Sequence, residues 1–143
     1  MTTRAEVVAE ARRWKDVPFL HQGRSRDGID CAGLVIKTAH ALGLSTFDAS
    51  GYRKLPAGVG EERIEDVCRR EMRQIDPATA APGDVALFLF GKRPRHLAIV
   101  GDYQAGGLSL IHAYEPAKKV SEVRFDQSWR AIPFEMYALP GVD

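Results

Sequence analysis

Apolar residues recur at helical spacing in the first part of the chain, and polar residues mark where each helix begins. Thr3 and Glu6 have the spacing of a capping box, so we expect a first helix that runs to about Lys15. Val17 and Pro18 then end it, because the residue before a proline disfavours helical backbone angles. Residues 21–30, with two glycines and mixed charges, predict an exposed loop.

A second and a third helix follow from the same pattern. Asp30 is a good N-cap, the next residues place their apolar side chains on one face, and Gly43 supplies a stop, which predicts a helix over residues 31–42. After an irregular loop over residues 45–60, acidic residues open a third helix over residues 61–73. Cys68 falls on the apolar stripe of this helix, where cysteine behaves as a small buried hydrophobe.

Strand-length apolar segments fill the second half of the chain. The Pro-Gly-Asp turn at residues 82–84 precedes a predicted strand over residues 85–90. Further strands are predicted over residues 96–100, 109–114, 120–125 and 132–139. Helices followed by short strands that can pair antiparallel predict an α+β fold. Repeats and linkers are absent from the sequence, so we expect one domain over residues 1–143.

Composition narrows the classes of function. The 143 residues are 45% hydrophobic, which suits one core, and the formal net charge is only +1. Basic residues are scattered over this nearly neutral chain, so no nucleic-acid partner is expected. No apolar run approaches the roughly 20 residues that cross a bilayer, so we expect no membrane insertion. The charged, helix-patterned N-terminus is unlike a signal peptide, and synthesis in the cytoplasm is expected.

The cysteines and histidines are the candidates for chemistry. Two cysteines do not make a disulfide framework, and the sequence lacks CxxC and HExxH spacings, so no metal or cofactor is expected. Cys31 opens a helix, where unpaired N–H groups and the helix dipole favour the thiolate and predict a lowered pKa. Its position alone leaves two interpretations open, a nucleophile and a buried structural cysteine.

A cysteine nucleophile needs a base and a group that orients the base. His96 and His112 lie on consecutive predicted strands, and antiparallel pairing brings side chains on one face within about 5 Å of each other. One imidazole could then orient the other and fix its tautomer. A single histidine in an apolar strand is otherwise more often a core residue. His40, near the end of the second helix, is expected at the surface or the helix terminus.

Four segments, in this order, resemble the NlpC-type cell-wall endopeptidases. Residues 29–35 (IDCAGLV) are similar to the D-C-S-G-L-V nucleophile segment of that family, and residues 81–88 (APGDVALF) to its P-G-D-L-V-x-F strand entry. Residues 95–100 (RHLAIV) and 110–113 (LIHA) are similar to its H-V-G-I-Y and I-H-A strands. The resemblance implies a papain-like fold with N-terminal helices packed on a central antiparallel sheet.

The resemblance also implies roles for individual residues. Cys31 matches the nucleophile, His96 the general base, and His112 the third polar residue, which orients the base. The implied reaction is hydrolysis of an amide in the peptidoglycan stem peptide, typically between D-glutamate and the diamino acid, through a thioester. The base and its partner would each matter by ~100-fold or more in rate.

A narrower resemblance is to the branch of this family that is encoded with tail genes of phages and gene transfer agents. Its members carry segments like residues 18–22 (PFLHQ), 52–56 (YRKLP) and 129–130 (WR). This implies a virion component that the particle carries to the periplasm or cell wall, with tail-tip or baseplate proteins as partners. The alternative is a structural tail subunit that keeps the peptidase fold with weak or no catalysis. Amidase action or acyl transfer on the same fold also stays open.

One departure from the family concerns the oxyanion. Family members commonly have a tyrosine twelve residues before the cysteine, where this chain has Phe19, which lacks a donor. The backbone N–H of Cys31 could still serve, with a second donor from His21 or Gln22. Because losing one oxyanion donor typically costs ~10²–10³ in turnover, we expect a slow or differently equipped enzyme.

Other residues are weaker candidates for substrate contact. Asp30 is first a helix cap and could also contact the amine end of a substrate. Tyr52 and Arg53 could contact a peptide, although a plain surface loop explains them equally well. Arg95 could meet a stem-peptide carboxylate, but a solvated surface charge is the simpler interpretation. The aromatic residues expected only to fill the core are Trp14, Trp129 and Phe134.

Overall fold

A computed structural model of the chain describes residues 1–48, 63–90 and 95–143. The first helix begins as the sequence predicts, because the Thr3 side chain accepts from the Glu6 backbone and Glu6 reaches back to the backbone of Thr3. The four α-helices of these ranges are α1 (Arg4–Arg12), α2 (Cys31–Ala41), α3 (Ile64–Glu71) and the single turn α4 (Gln127–Arg130). None of them is long and apolar enough to cross a membrane.

Six strands form one antiparallel sheet, and two short strands form a separate hairpin. The hairpin strands are β1 (Arg24–Ser25) and β2 (Gly28–Ile29), and the sheet strands are β3 (Arg73–Ile75), β4 (Val85–Phe88), β5 (His96–Asp102), β6 (Leu108–Tyr114), β7 (Lys119–Arg124) and β8 (Phe134–Ala138). The order across the sheet is β3-β8-β4-β5-β6-β7. This architecture confirms the predicted α+β class, with helices packed on a central antiparallel sheet.

The two faces of the sheet contribute to two different apolar clusters, because successive side chains of a strand point to opposite faces. Leu87 and Ile99 belong to the cluster that contains residues of α1 and α2, among them Leu34. Phe88 and Val100 belong to the other cluster, which the chain between β7 and β8, including α4, covers. The central strands are therefore buried on both faces, which explains their continuous apolar sequences.

The turn before β4 ties the sheet to the first helix. Gly83 adopts φ +93°, a conformation that side-chain-bearing residues rarely adopt, and its N–H donates to the Val100 carbonyl at 2.8 Å. Asp84, which is buried, accepts from Arg4 Nη1 at 2.8 Å and from the Ala81 N–H at 2.9 Å. The Pro-Gly-Asp turn predicted from sequence thus sets where β4 starts against β5.

Three predictions about elements are corrected. Residues 21–30 are not a simply exposed loop, because they contain the β1–β2 hairpin and end in buried residues such as Ile29. The third helix ends at Glu71, and the next residues form the short strand β3, which pairs with β8. The structure also forms α4, capped by Asp126, which the sequence pattern does not predict.

Candidate functional site

Cys31 is the first residue of α2, and Asp30 caps that helix as predicted. Backbone hydrogen bonds from Leu97, Ala32 and Cys31 itself lower the pKa of the thiol, which is the effect expected of a helix start. Burial, followed by the negative charge of Asp30, outweighs them and raises the pKa of Cys31 to about 12. The prediction of a lowered pKa from the helix start alone is therefore wrong. Burial destabilises the thiolate by more than the hydrogen bonds from backbone N–H groups stabilise it.

The sulfur of Cys31 lies beside the start of β5. The Leu97 amide with which it interacts follows His96 directly in sequence. Cys31 is partly buried against the apolar cluster that contains residues of α1 and α2, called here the helix-side cluster. It therefore lies where the start of α2 meets β5, the strand that carries His96. The fold therefore brings the predicted nucleophile to the backbone of the residue next to the predicted base, although Cys31 and His96 are 65 positions apart in the chain (96 − 31).

The two strand histidines are hydrogen-bonded to each other. The Nε2 atom of His96 lies 2.7 Å from the Nδ1 atom of His112, and the two side chains share one face of the sheet. Both residues are buried, with 6% and 0% of their surface exposed. Burial, followed by the charge of His112, holds the pKa of His96 well below 6.5. Burial lowers the pKa of His112 to about 4.

These shifts make the resting groups neutral near pH 7. A thiol with a raised pKa keeps its proton, and an imidazole with a lowered pKa does not take up a second one. Since Nε2 of His96 is engaged with His112, its Nδ1 is the nitrogen left to act as a base. Cys31 and His96 have the chemistry of a nucleophile and a general base. In such a system the proton leaves the sulfur only as the sulfur attacks.

Aromatic rings surround the histidine pair. Trp129 has its ring centroid 5.9 Å from that of His96 and 5.3 Å from that of His112. Tyr114 stacks parallel on His112 at 4.9 Å, and Phe88 lies 6.2 Å from His96. Trp129 is only partly buried and is more than the plain core residue expected from the sequence. Trp129 lies near the histidines because it belongs to α4, a helix that the pattern of apolar residues does not predict.

Asp30 is a structural centre of the site. Its carboxylate accepts from the Gly33 N–H at 2.8 Å, from the Gln22 N–H at 2.8 Å and from Arg24 Nη1 at 3.1 Å. With 2% of its surface exposed, it ties the β1–β2 hairpin to the start of α2. The cap role predicted for Asp30 is confirmed, and contact with a substrate amine stays a prediction.

Two of the residues considered for the oxyanion, His21 and Gln22, lie near the Asp30 carboxylate. The Gln22 backbone N–H is occupied by Asp30, which leaves only the side chain of Gln22 as a candidate donor. His21 is 43% exposed at its side chain, and its Nδ1 lies 3.9 Å from the nearer Asp30 oxygen. Phe19 is partly buried against the helix-side cluster, and its ring carries no donor. The helix-start N–H of Cys31 and the side chains of His21 and Gln22 therefore stay the candidate oxyanion donors.

Arg95 forms an ion pair with Glu65 of α3, with Nε 3.1 Å from the carboxylate oxygen. Its side chain is 16% exposed, so the interpretation as a solvated surface charge is wrong. The pair joins α3 to the residue that precedes His96. Tyr52 and Arg53, the other candidates for peptide contact, lie outside the described residues.

The remaining candidates have structural places. Cys68 is buried in α3, as predicted, with 3% of its surface exposed. His40 lies in the last turn of α2, as predicted, and its Nε2 is 2.6 Å from the Phe47 carbonyl oxygen. Within residues 1–48, 63–90 and 95–143, histidines, cysteines and acidic residues do not form a group that could hold a metal ion.

Comparison with known proteins identifies the family and the fold. The model of the NlpC/P60 family matches residues 16–132. No curated protein sequence matches the chain. The NlpC/p60 domain of peptidoglycan hydrolase SagA is 23% identical, with a TM-score of 0.64, over 92% of this chain and 96% of that domain.

Two further solved structures show the same fold at lower identity. NlpC1 from Trichomonas vaginalis is 16% identical, with a TM-score of 0.67, over 94% of this chain and 42% of its own length. An N-acetylmuramoyl-L-alanine amidase from Bacteroides uniformis is 12% identical, with a TM-score of 0.65, over 96% and 98% of the two chains. At these identities the likeness shows the fold alone. Because the family model matches most of its length, the chain belongs to the NlpC/P60 family.

Proposed function

We propose that this protein is a cysteine peptidase that hydrolyses an amide bond of the peptidoglycan stem peptide, between D-glutamate and the diamino acid. The observation that carries the proposal is the position of Cys31, at the start of α2, beside the Leu97 amide, which follows His96 of the hydrogen-bonded His96–His112 pair. The name of the SagA relative, a peptidoglycan hydrolase, supports the choice of substrate.

The proposed reaction has two halves. In the first, Nδ1 of His96 takes the thiol proton as the sulfur of Cys31 attacks the carbonyl carbon, and the imidazolium then gives this proton to the leaving amine. This breaks the C–N bond and leaves a thioester on Cys31. In the second, His96 takes a proton from water, the hydroxide oxygen attacks the thioester, and the thiol and a carboxylic acid are released.

Because Cys31 and His96 are both neutral at rest, the thiol must lose its proton during the attack and not before it. With the pKa of Cys31 raised and that of His96 lowered, a free thiolate near pH 7 is rare. The histidine must therefore act as a base during attack. His112 holds the ring of His96 through the 2.7 Å hydrogen bond and disfavours rotation of that ring.

The delivery route is part of the proposal. Residues 18–22, 52–56 and 129–130 resemble the branch encoded with phage and gene-transfer-agent tail genes, and this supports a virion component that acts in the periplasm or on the cell wall. Tail-tip or baseplate proteins would then be its partners. The competing proposal, a structural tail subunit with weak or no catalysis, is supported by the missing tyrosine hydroxyl at Phe19.

Digestion of purified peptidoglycan and of a free stem tetrapeptide, under reducing conditions, tests the proposal. We expect mass spectrometry to show products cut after D-glutamate with the wild type and with Cys68→Ala, and none with Cys31→Ala. Products cut between the sugar lactyl group and L-alanine would instead identify an amidase, the activity named for the Bacteroides relative. Intact substrates in every reaction would favour the structural subunit.

A further inference from the structure

The proposed proton transfer creates a positive charge in a buried, apolar place. When His96 takes the thiol proton, the charge forms beside His112, and both rings are buried. In the described part of the chain, neither ring is hydrogen-bonded to a carboxylate that could neutralise the charge. Desolvation alone would make this imidazolium expensive, so another group must stabilise it if the base is to work.

The tautomer of the His96–His112 pair also requires an acceptor for a buried N–H group. For Nδ1 of His96 to be free to accept the thiol proton, its Nε2–H must donate to Nδ1 of His112. His112 then carries its own proton on Nε2. That atom is fully buried and has no hydrogen-bond partner among the described residues. The state that can act as a base therefore contains one buried N–H group for which, among the described residues, an aromatic ring face is the available acceptor.

Trp129 lies where its ring can stabilise the imidazolium charge and accept the buried N–H of His112. Its ring centroid lies within 6 Å of both histidine rings, and its contact with His112 is edge-to-face, with 68° between the planes. An indole face attracts a cation within about 6 Å more strongly than other aromatic rings do. Tyr114 and Phe88 complete the aromatic surroundings of His96, at 5.3 Å and 6.2 Å.

The short helix α4 holds this ring in place. The carboxylate of Asp126 accepts from the Trp129 N–H at 3.2 Å and from the Ser128 hydroxyl at 2.6 Å. Arg130 follows Trp129 and stacks over the ring of Phe125 at 4.2 Å. Contacts on both sides of Trp129 therefore fix a turn that would otherwise be too short to be stable.

We propose that Trp129 is a positioning residue that stabilises the imidazolium form of the His96–His112 pair through the π face of its indole ring. The inference rests on the proposed roles of Cys31 and His96. It adds a role that the family resemblance does not supply, since a residue thought to fill the core takes the place of a charged partner.

The other groups around His96 are few. Among the described residues, His112 and Tyr114 from β6 are the titratable groups whose rings lie against His96, Cys31 from α2 interacts with the next residue, Leu97, and Arg95, which precedes His96, pairs with Glu65 of α3. An experiment must leave all of them unchanged. Fluorination of the indole ring does so, because it weakens the negative potential of the ring face with little change of shape.

The chain has two tryptophans, so a Trp14→Phe background leaves Trp129 as the only site of fluorinated tryptophan. Trp14 packs in the helix-side cluster, and its Nε1 has no described partner, so phenylalanine there loses no described hydrogen bond. The measurement is the rate at which iodoacetamide alkylates Cys31 at pH 7, with peptide mapping to separate Cys31 from Cys68. This rate follows the fraction of thiolate–imidazolium pair.

We expect the rate to fall stepwise as fluorines are added to Trp129, by about 2- to 30-fold over the series. Trp129→Phe should keep part of the rate, and Trp129→Leu should lose most of it. The unlabelled Trp14→Phe protein should match the wild type. Equal rates along the fluorine series would overturn the inference, because a ring that only fills space is unaffected by fluorine.

A His96→Ala variant separates this inference from the proposed function. If His96→Ala lowers the alkylation rate and fluorination does not, only the role of Trp129 fails. If His96→Ala leaves the rate unchanged, the base of the proposed function fails as well. The pH dependence gives an independent readout, since weakening the ring face should move the imidazolium titration of His96 to lower pH by on the order of one unit.

Discussion

The buried histidine pair should make the protein lose stability as the pH falls below about 6.5. In the unfolded chain His112 takes up a proton near its ordinary pKa of 6.5, whereas in the folded protein burial lowers its pKa to about 4. Between these values the unfolded state binds more protons, so the free energy of unfolding decreases as the pH falls. A shift of about 2.5 units at about 1.4 kcal/mol each gives a loss of about 3 kcal/mol by pH 4.

Urea denaturation at half-unit steps between pH 7.5 and about 4 measures this slope. His112→Gln keeps a polar group against His96 but cannot titrate, so we expect it to remove about 1.4 kcal/mol per pH unit from the slope in this window. Ile111→Val, at the buried neighbouring position of β6, destabilises by about 1 kcal/mol and should leave the slope unchanged. If His112→Gln keeps the wild-type slope, another group causes the pH dependence and His112 does not.

Three further predictions concern the parts that hold the site. Asp30→Ala should cost about 3–5 kcal/mol in urea denaturation, because it removes the helix cap and leaves Arg24 without its buried partner, and Asp30→Asn should cost less; equal costs would show that charge is irrelevant there. Gly83→Ala should lower the stability by more than the roughly 1 kcal/mol expected for Gly43→Ala, since both have positive φ but only Gly83 would bring its Cβ within 3.2 Å of α1. Phe19→Tyr should raise turnover of stem peptide by about tenfold or more if it restores an oxyanion donor; unchanged turnover would show that another group already serves.

Local sequence signals were enough to predict the elements that carry the site. The capping box at Thr3, the Asp30 cap and the Pro-Gly-Asp turn each act through neighbouring residues, so they could be predicted without knowledge of the fold. The strand β3 could not, because its residues Arg73 and Gln74 are polar and exposed and its backbone is ordered by pairing with β8, some sixty residues later. Edge strands of this kind depend on tertiary contacts rather than on their own sequence.

In the site, too, some features could be predicted from the sequence and others depend on the assembled fold. Strand order and side-chain alternation predict that His96 and His112 meet, and the 2.7 Å hydrogen bond confirms it. The pKa of Cys31 could not be predicted, because it depends on how much water the assembled fold excludes from the sulfur. Likewise, Trp129 reaches the histidines only because the chain between β7 and β8 folds over that face.

The shifted pKa values of Cys31 and His96 favour general-base activation of a neutral thiol over a preformed thiolate–imidazolium ion pair. A neutral thiol and a neutral imidazole pose little desolvation cost to the fold, and charge separates only when substrate is present. Such an enzyme should be protected from adventitious oxidation and alkylation, since the thiolate is the reactive form.

Trapping the acyl-enzyme shows whether Cys31 is the nucleophile. A stem tetrapeptide is mixed with excess protein, quenched in acid within the first turnover, and the protein is analysed by intact mass and peptide mapping. We expect a mass increase on Cys31 equal to the acyl part of the peptide. It should be reversed by neutral hydroxylamine, as a thioester is, and should be absent from Cys31→Ala. Cleavage that continues in Cys31→Ala, or an acyl group carried on Cys68 instead, would contradict this role of Cys31.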